Sequence, residues 1–297
     1  MRYDHLFDFT GFLPMRRFYF FILCFLLLNI SHPIRVMAAG TAGGFAPHKA
    51  LYDIRMSGAK SGSQIANVTG QMMYEWQPTC DAWQTKHKFN LTYEYADAPA
   101  MRIFSDFSTF EPFDGKSINF SSQRRQGSDL IEELRGQANL DGDNKGVAIY
   151  SRPEGLEFDL PPGAMFPMTH TANVLNAIKE GKKFYSAVVF DGSDQEGPVE
   201  ISAFIGARVD GAAALKDIKG LDPALLQSSA HKVRLAFFPL NEPSESADYE
   251  MSAVFHENGV ISDMVIEYDD FTVTQKLIAL KPVAGTCPVD GAVKKPQ

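Results

Sequence analysis

The chain has 297 residues, 45% of them hydrophobic, with 28 Lys and Arg against 36 Asp and Glu, a formal net charge of −8. An acidic balance without a basic stripe gives a phosphate backbone no electrostatic footprint, so nucleic acid is not an expected partner, and anionic lipid surfaces repel the chain on average. Length and composition allow one large all-β domain or two ordinary ones, with apolar residues enough for a substantial core.

Arg16 and Arg17 precede an apolar run from Phe18 to Leu28, and Val36-Met37-Ala38 sets small side chains at the two positions that a signal peptidase reads. Residues 1–38 therefore read as a signal peptide cleaved after Ala38. The competing reading, a membrane anchor, falls short of the roughly 20 apolar residues a spanning helix needs. Cys24 lies behind Phe21, Ile22 and Leu23 and lacks the small residue that lipidation requires before it. Asp4 and Asp8 are foreign to such a leader, whereas Met15 begins an ordinary one and is a candidate for the true start. Cleavage removes four of the 28 basic and two of the 36 acidic side chains, leaving 24 and 34, a net charge of −10 over residues 39–297. In that exported part only Cys80 and Cys287 remain, 207 positions apart. An even pair in an oxidising compartment reads as a disulfide, structural rather than redox-active.

Period two dominates the remainder of the chain. Phe89, Leu91, Tyr93 and Tyr95 alternate with Lys88, Asn90, Thr92 and Glu94, as a half-buried antiparallel strand requires. Residues 101–110 and 117–123 obey the same logic around a turn at 111–116, where Asp114-Gly115 accepts the positive backbone angles of a tight hairpin. Residues 146–151 and 156–160 flank Pro153-Glu154-Gly155 in the same way. Further strands are predicted at 232–238, 249–256, 260–268 and 272–280, with Glu257-Asn258-Gly259 as a turn. One segment has helical spacing: Ala172, Val174, Leu175 and Ile178 predict a helix over 169–179, capped by Thr169 or Thr171 and ended by Gly181. A shorter helical turn is expected at 222–228, where Pro223 suits a first helical position. The predicted class is mainly β, a single domain over 39–297 with one or two inserted helices and disorder at 41–44 and 290–297.

Chemical motifs fare poorly. Asp141-Gly142-Asp143-Asn144-Lys145-Gly146 opens like a calcium loop but places Lys145 where an oxygen ligand belongs and Arg152 where the bidentate glutamate belongs, so a polar hairpin loop is the better reading. The carboxylates of Asp191, Asp194 and Glu196 read as a solvated turn before they read as a cation site. No Gly-x-Ser-x-Gly elbow occurs, and His256-Glu257 lacks the second histidine of a zinc protease. His48, His87, His170, His231 and His256 are scattered and read as surface or packed residues. The pairs Glu132-Glu133 and Asp269-Asp270 give no glycosidase geometry, because neighbours on a strand face opposite ways. No catalytic, cofactor-binding or metal-ligating residue is assigned. Trp76, Trp83, Phe104, Phe107, Phe110, Phe113 and Phe120 leave two readings open, a packed core or a groove lined for an apolar ligand such as an acyl chain.

In order along the chain, Tyr52-Asp53-Ile54 with Ser57-Gly58, Gly70-Gln71-Met72-Met73-Tyr74-Glu75 leading to Cys80, Leu160-Pro161-Pro162-Gly163 with Phe166-Pro167, Phe190-Asp191-Gly192-Ser193 and Cys287-Pro288 resemble the bacterial EipB-like envelope-integrity family. The resemblance spans nearly all of 39–297 and carries no catalytic motif. It implies a periplasmic protein whose long antiparallel sheet rolls into an open, spiral-like barrel similar in architecture to the LolA and LolB lipoprotein carriers, with a disulfide matching Cys80 and Cys287. It implies a role in envelope integrity. Two functions are expected on this basis: a monomeric, non-enzymatic factor without cofactor that binds an envelope protein or a lipid-bearing molecule, or an envelope hydrolase with a spatially assembled site.

Overall fold

A computed structural model describes residues 44–216, 218–240 and 246–285. The leader read over 1–38, most of the Gly-rich start, the C-terminal tail and Cys287 lie outside them. Among the described residues fourteen strands form one antiparallel sheet. The first eight are β1 (His48–Ala59), β2 (Ile65–Pro78), β3 (Ala82–Tyr95), β4 (Met101–Pro112), β5 (Ser117–Gln126), β6 (Asp129–Leu140), β7 (Gly146–Arg152) and β8 (Glu157–Leu160). Helix α1 (Pro167–Lys179) comes next, and then β9 (Phe184–Val189), β10 (Val199–Val209), β11 (Ala230–Pro239), β12 (Tyr249–His256), β13 (Ile261–Glu267) and β14 (Phe271–Pro282).

The sheet is two meanders joined back to back. One runs from β1 to β8 and the other from β14 to β9, and β1 pairs with β14 along its whole length. That seam brings the two ends of the described chain side by side and leaves β8 and β9 as the edges. Among the described residues no ladder joins the edges, so the sheet stays open. It nevertheless curls until they approach: Met165, just before α1, makes a parallel bridge to Val189 of β9.

Alternation separates the faces as the sequence predicts. Ala50, Tyr52 and Ile54 of β1, Val233 and Leu235 of β11 and Val273 and Leu277 of β14 point inward and are buried, while Lys49, Asp53 and Arg234 point outward. The strand predicted from Phe89 to Tyr95 is the second half of β3, and the turn at 257–259 links β12 to β13. Gly259 has a φ of +88°, and a β-carbon on it would come within 2.4 Å of the Trp76 ring, so glycine serves there for both angle and space.

Three expectations need correction. Strands β1, β2, β6, β9 and β10 were not among the predicted ones; β6, for instance, is mostly polar and lacks a clean apolar alternation. Helix α1 starts two residues before 169, with Pro167 in its first turn, and neither Thr169 nor Thr171 caps it: the N-cap position is Phe166, which has no side-chain acceptor. Asp269 and Asp270 lie in the turn before β14 rather than on a strand. The turn expected at 222–228 is a short 3-10 helix over Pro223–Leu226, with Asp222 accepting a hydrogen bond from the Ala224 N–H.

Candidate functional site

The inner face of the curled sheet is the surface on which both meanders converge, and its two ends differ. At one end lie the turns after β2, β4, β6 and β12. Here Phe45, Trp76 and Trp83 pack ring against ring at 4.6–5.6 Å, and Met168, Val174, Leu175 and Ile178 of α1 join the same core. Glu111, at the end of β4, takes over the capping that Phe166 cannot provide. Its carboxylate accepts from the Met168 N–H (2.8 Å), the Thr169 N–H (3.0 Å) and the Thr169 hydroxyl (2.8 Å). Orphan N–H groups of the first helical turn are thereby satisfied from a strand distant in the chain. Burial pushes the Glu111 carboxyl up to about 6, and these three hydrogen bonds pull it the other way. Deeper in, Thr85 and Thr109 share a buried hydrogen bond of 2.7 Å between β3 and β4.

At the opposite end the same face is less completely buried. Phe89, Leu91 and Tyr93 of β3, Phe237 of β11, Tyr249 and Met251 of β12 and Phe271 of β14 are only partly buried. Three of these aromatics and Tyr268, from the turn before β14, run side by side: Phe237 on Tyr249 at 4.2 Å, Tyr249 near Tyr268 at 5.9 Å, and Tyr268 on Phe271 at 4.8 Å. Burial, reinforced by the Asp191 carboxylate, holds the Tyr249 hydroxyl above its ordinary range. Between the two ends, Tyr74, His87 and Phe107 stand opposite one another on β2, β3 and β4, with ring centroids 4.8 and 5.7 Å apart.

The segment 191–197 is not the solvated turn expected of it. It reaches across the opening to the first meander. A β-carbon on Gly192 would strike the Phe120 ring at 2.3 Å, the Tyr150 hydroxyl donates to the Asp194 carbonyl at 2.7 Å, and Gln195 donates to Glu132 at 3.3 Å. Asp191 and Asp194 spend side-chain oxygens on the N–H groups of Ser193 and Glu196. Phe120, Tyr150, Phe158, Phe166 and Phe190 form a second, smaller core beneath this crossing.

Other residues singled out from sequence are dispersed. The calcium-like loop is the β6–β7 hairpin, where Asp141 accepts from the Asp143 and Lys145 N–H groups. His48, His170 and His256 are buried, and burial brings His48, His87 and His170 down to about 4, so these three are neutral packing groups near pH 7. His231 faces Glu257 at 3.9 Å. Among the described residues no three His, Cys, Asp or Glu side chains gather closely enough to hold a metal ion. Glu132 and Glu133 face opposite ways on β6, toward Arg124 and Gln123 respectively. The phenylalanines of β4 divide by parity, with Phe107 inward and Phe104 and Phe110 outward. The Arg102 guanidinium covers Phe104 at 4.9 Å. Glu111 escapes a reading of the sequence because its partners are distant in the chain.

Fold and face together define an open, barrel-like antiparallel β protein with an apolar inner surface. The chain belongs to the EipB-like family, whose model matches residues 39–284. It is 28% identical over 246 residues to the cell envelope integrity protein EipB of Brucella abortus (strain 2308), an alignment that covers 82% of this chain and 86% of that one. The crystal structure of a beta-barrel-like protein of a domain of unknown function from Brucella abortus matches with a TM-score of 0.72 at 26% identity, covering 80% of this chain and 98% of the other.

Proposed function

We propose that the chain is a monomeric, non-enzymatic periplasmic factor that supports cell-envelope integrity by holding the apolar part of a lipid-bearing envelope component, a lipid or an acylated protein, along the open end of the inner face. The observation that carries this reading is the set of partly exposed Phe89, Leu91, Tyr93, Tyr249 and Met251 on a face that is elsewhere packed. Large apolar side chains left wet inside a curved sheet gain from an apolar guest by roughly 25 cal/mol for each Å² they lose to it. The name of the Brucella relative supports the envelope role. Residues 1–38 serve in this reading as the cleaved leader that delivers the chain.

The Cys80–Cys287 disulfide belongs to the same proposal. Cys80 lies just past β2, and a β-carbon on Gly285 would lie 3.4 Å from the Pro78 ring, so the chain passes close by two residues before each cysteine. A bond there ties the end of the second meander to the first, beside the β1–β14 seam. Native mass spectrometry of the protein purified from the periplasm tests the binding reading. A co-purifying lipid or acylated peptide, lost on Leu91→Glu substitution, is the expected result. An unliganded wild-type protein in several mild detergents contradicts it.

A further inference from the structure

Three polar rings cross the inner face between its two ends. His48 of β1, Tyr74 of β2 and His87 of β3 follow one another from strand to strand, with ring centroids 5.6 Å apart for His48 and Tyr74 and 4.8 Å apart for Tyr74 and His87. Phe107 of β4 closes the row, 5.7 Å from His87. The His48 Nδ1 donates to the Ala46 carbonyl at 2.7 Å, which leaves the Nε2 of this fully buried ring an acceptor without a partner. The Tyr74 hydroxyl and both His87 nitrogens have no hydrogen-bond partner among the described residues, and these two side chains are only partly buried. Polar groups inside a fold are nearly always paired, so such a row marks a place where a polar group from outside the chain gains by entering. The row is also a boundary. On one side stand Trp76, Trp83 and the Thr85–Thr109 hydrogen bond; on the other are Phe89, Leu91 and Tyr93, two residues apart along β3 and partly buried. From His87 to Tyr93 the strand rises about 20 Å, the reach of an extended long acyl chain.

We propose that His87 and Tyr74 receive the carboxyl group of a free fatty acid, whose tail lies along Phe89, Leu91 and Tyr93. The assignment rests on the acyl-binding reading above and narrows it from lipid-bearing components in general to a chain with a free carboxyl end. A phenol has one proton to donate, and a neutral imidazole has one N–H and one lone pair. A carboxylic acid therefore accepts from Tyr74 and gives its proton to the bare nitrogen of His87. An ester has no proton to give, and an alcohol forms the hydrogen bonds without the charge-assisted pair, which is the stronger. A phosphate brings charge that the row cannot meet: burial alone lowers His87, with no Lys, Arg, Asp or Glu bearing on it. The titratable neighbours are Tyr74, the His48 ring beyond it and Tyr52, which Tyr74 and burial hold above its ordinary range, and Phe107 on the β4 side adds no charge. All of these are uncharged near pH 7. A fatty acid is ionised in water at that pH, so binding takes up one proton from solvent, held between carboxyl and imidazole, and affinity falls as pH rises.

Displacement of the neutral dye N-phenyl-1-naphthylamine by dodecanoic acid, dodecanol and methyl dodecanoate tests the assignment at about pH 6.5 and 7.5. The acid is expected to bind about tenfold more tightly than the ester at the lower pH and to weaken about tenfold at the higher one, while the alcohol and the ester hold constant. His87→Phe should cost the acid about tenfold and leave the ester and the melting temperature unchanged, because the new ring matches Phe107 beside it. His87→Gln, which still forms hydrogen bonds, should lose less, and Tyr74→Phe should weaken the acid about fivefold. The comparison of the three ligands on the wild-type protein stands even where a variant fails to fold. If the ester and the alcohol displace the dye and the acid does no better, or if a folded His87→Phe keeps full affinity for the acid, the assignment is overturned and the acyl-binding reading survives. If none of the three displaces the dye, that reading falls and the assignment falls with it.

Discussion

The two ends of the inner face are built from the same strands and the same period-two pattern, yet one is solid and the other lined. The difference lies in what covers them. At the first end Phe45 and the turn at Gly259 close over Trp76, α1, fixed by Glu111, joins the same core, and Trp76 and Trp83 lose nearly all exposure. At the other end the 191–197 crossing, with Asp191 near Tyr249, takes the place of a helix, and Phe89, Tyr93 and Tyr249 stay only partly buried. A sheet of this size thus supplies the apolar surface, and the segments laid over it decide how much of it becomes core.

That contrast sets the order of the expected effects. Acidification should strike the solid end hardest. His48 and His170 are brought down to about 4 by burial, below their unfolded value of 6.5, so they favour the folded state above pH 6.5 and that contribution is lost as pH falls toward 4. Each shift is worth about 3 kcal/mol, and denaturant titrations over this window should show a steep loss that His170→Gln makes shallower. Trp76→Ala should cost about 3–5 kcal/mol through the cavity it leaves, measured as a shift of the thermal midpoint. Serine at Cys287 should lower stability by about 2–5 kcal/mol if the proposed disulfide forms; an identical melting temperature in oxidising and reducing buffer would contradict the bond.

Glu111 gives a smaller and opposite pH response. Its folded value, about 6, lies above its model-peptide value of 4.5, so protonation favours the folded state and the stabilisation fades as pH rises from 4.5 through 6. Wild type should therefore gain about 2 kcal/mol relative to Glu111→Gln between neutral and about pH 4, a difference that denaturation of the pair at a series of pH values reads directly. Phe89→Ala, at the lined end, should cost about 1–2 kcal/mol or less because its ring is already partly wet, visible as the smallest thermal shift of the set.

Much of this was legible in the chain and some was not, for physical reasons. Alternation at Phe89, Leu91 and Tyr93 announces β3 and its inward face, and helical spacing from Ala172 to Ile178 announces α1. The local pattern is weaker in β6, where Glu132 and Glu133 stand amid polar neighbours, and in β10, where Phe204 faces solvent and Ala203 the core. Glu111 sits beside Pro112, Phe113, Asp114 and Gly115 and reads as part of a turn. Its role depends on Met168 and Thr169, and no short-range pattern encodes such a contact. Asp191 to Gly197 likewise looks like a solvated acidic loop until the curl of the sheet brings Phe120 and Tyr150 beneath it. The choice between core and groove is not encoded in the aromatics themselves, because it depends on which distant segments come to lie over each of them.

Photo-crosslinking with a diazirine-bearing fatty acid, held below its micelle concentration and coupled to mass mapping of the adducts, tests the lined end most directly. The expected adducts fall on the inner residues of β3, β11 and β12, around Phe89, Tyr93, Phe237 and Tyr249, and disappear in Leu91→Glu. Adducts confined to the outer face, or spread without preference over the chain, would contradict a groove at the open end.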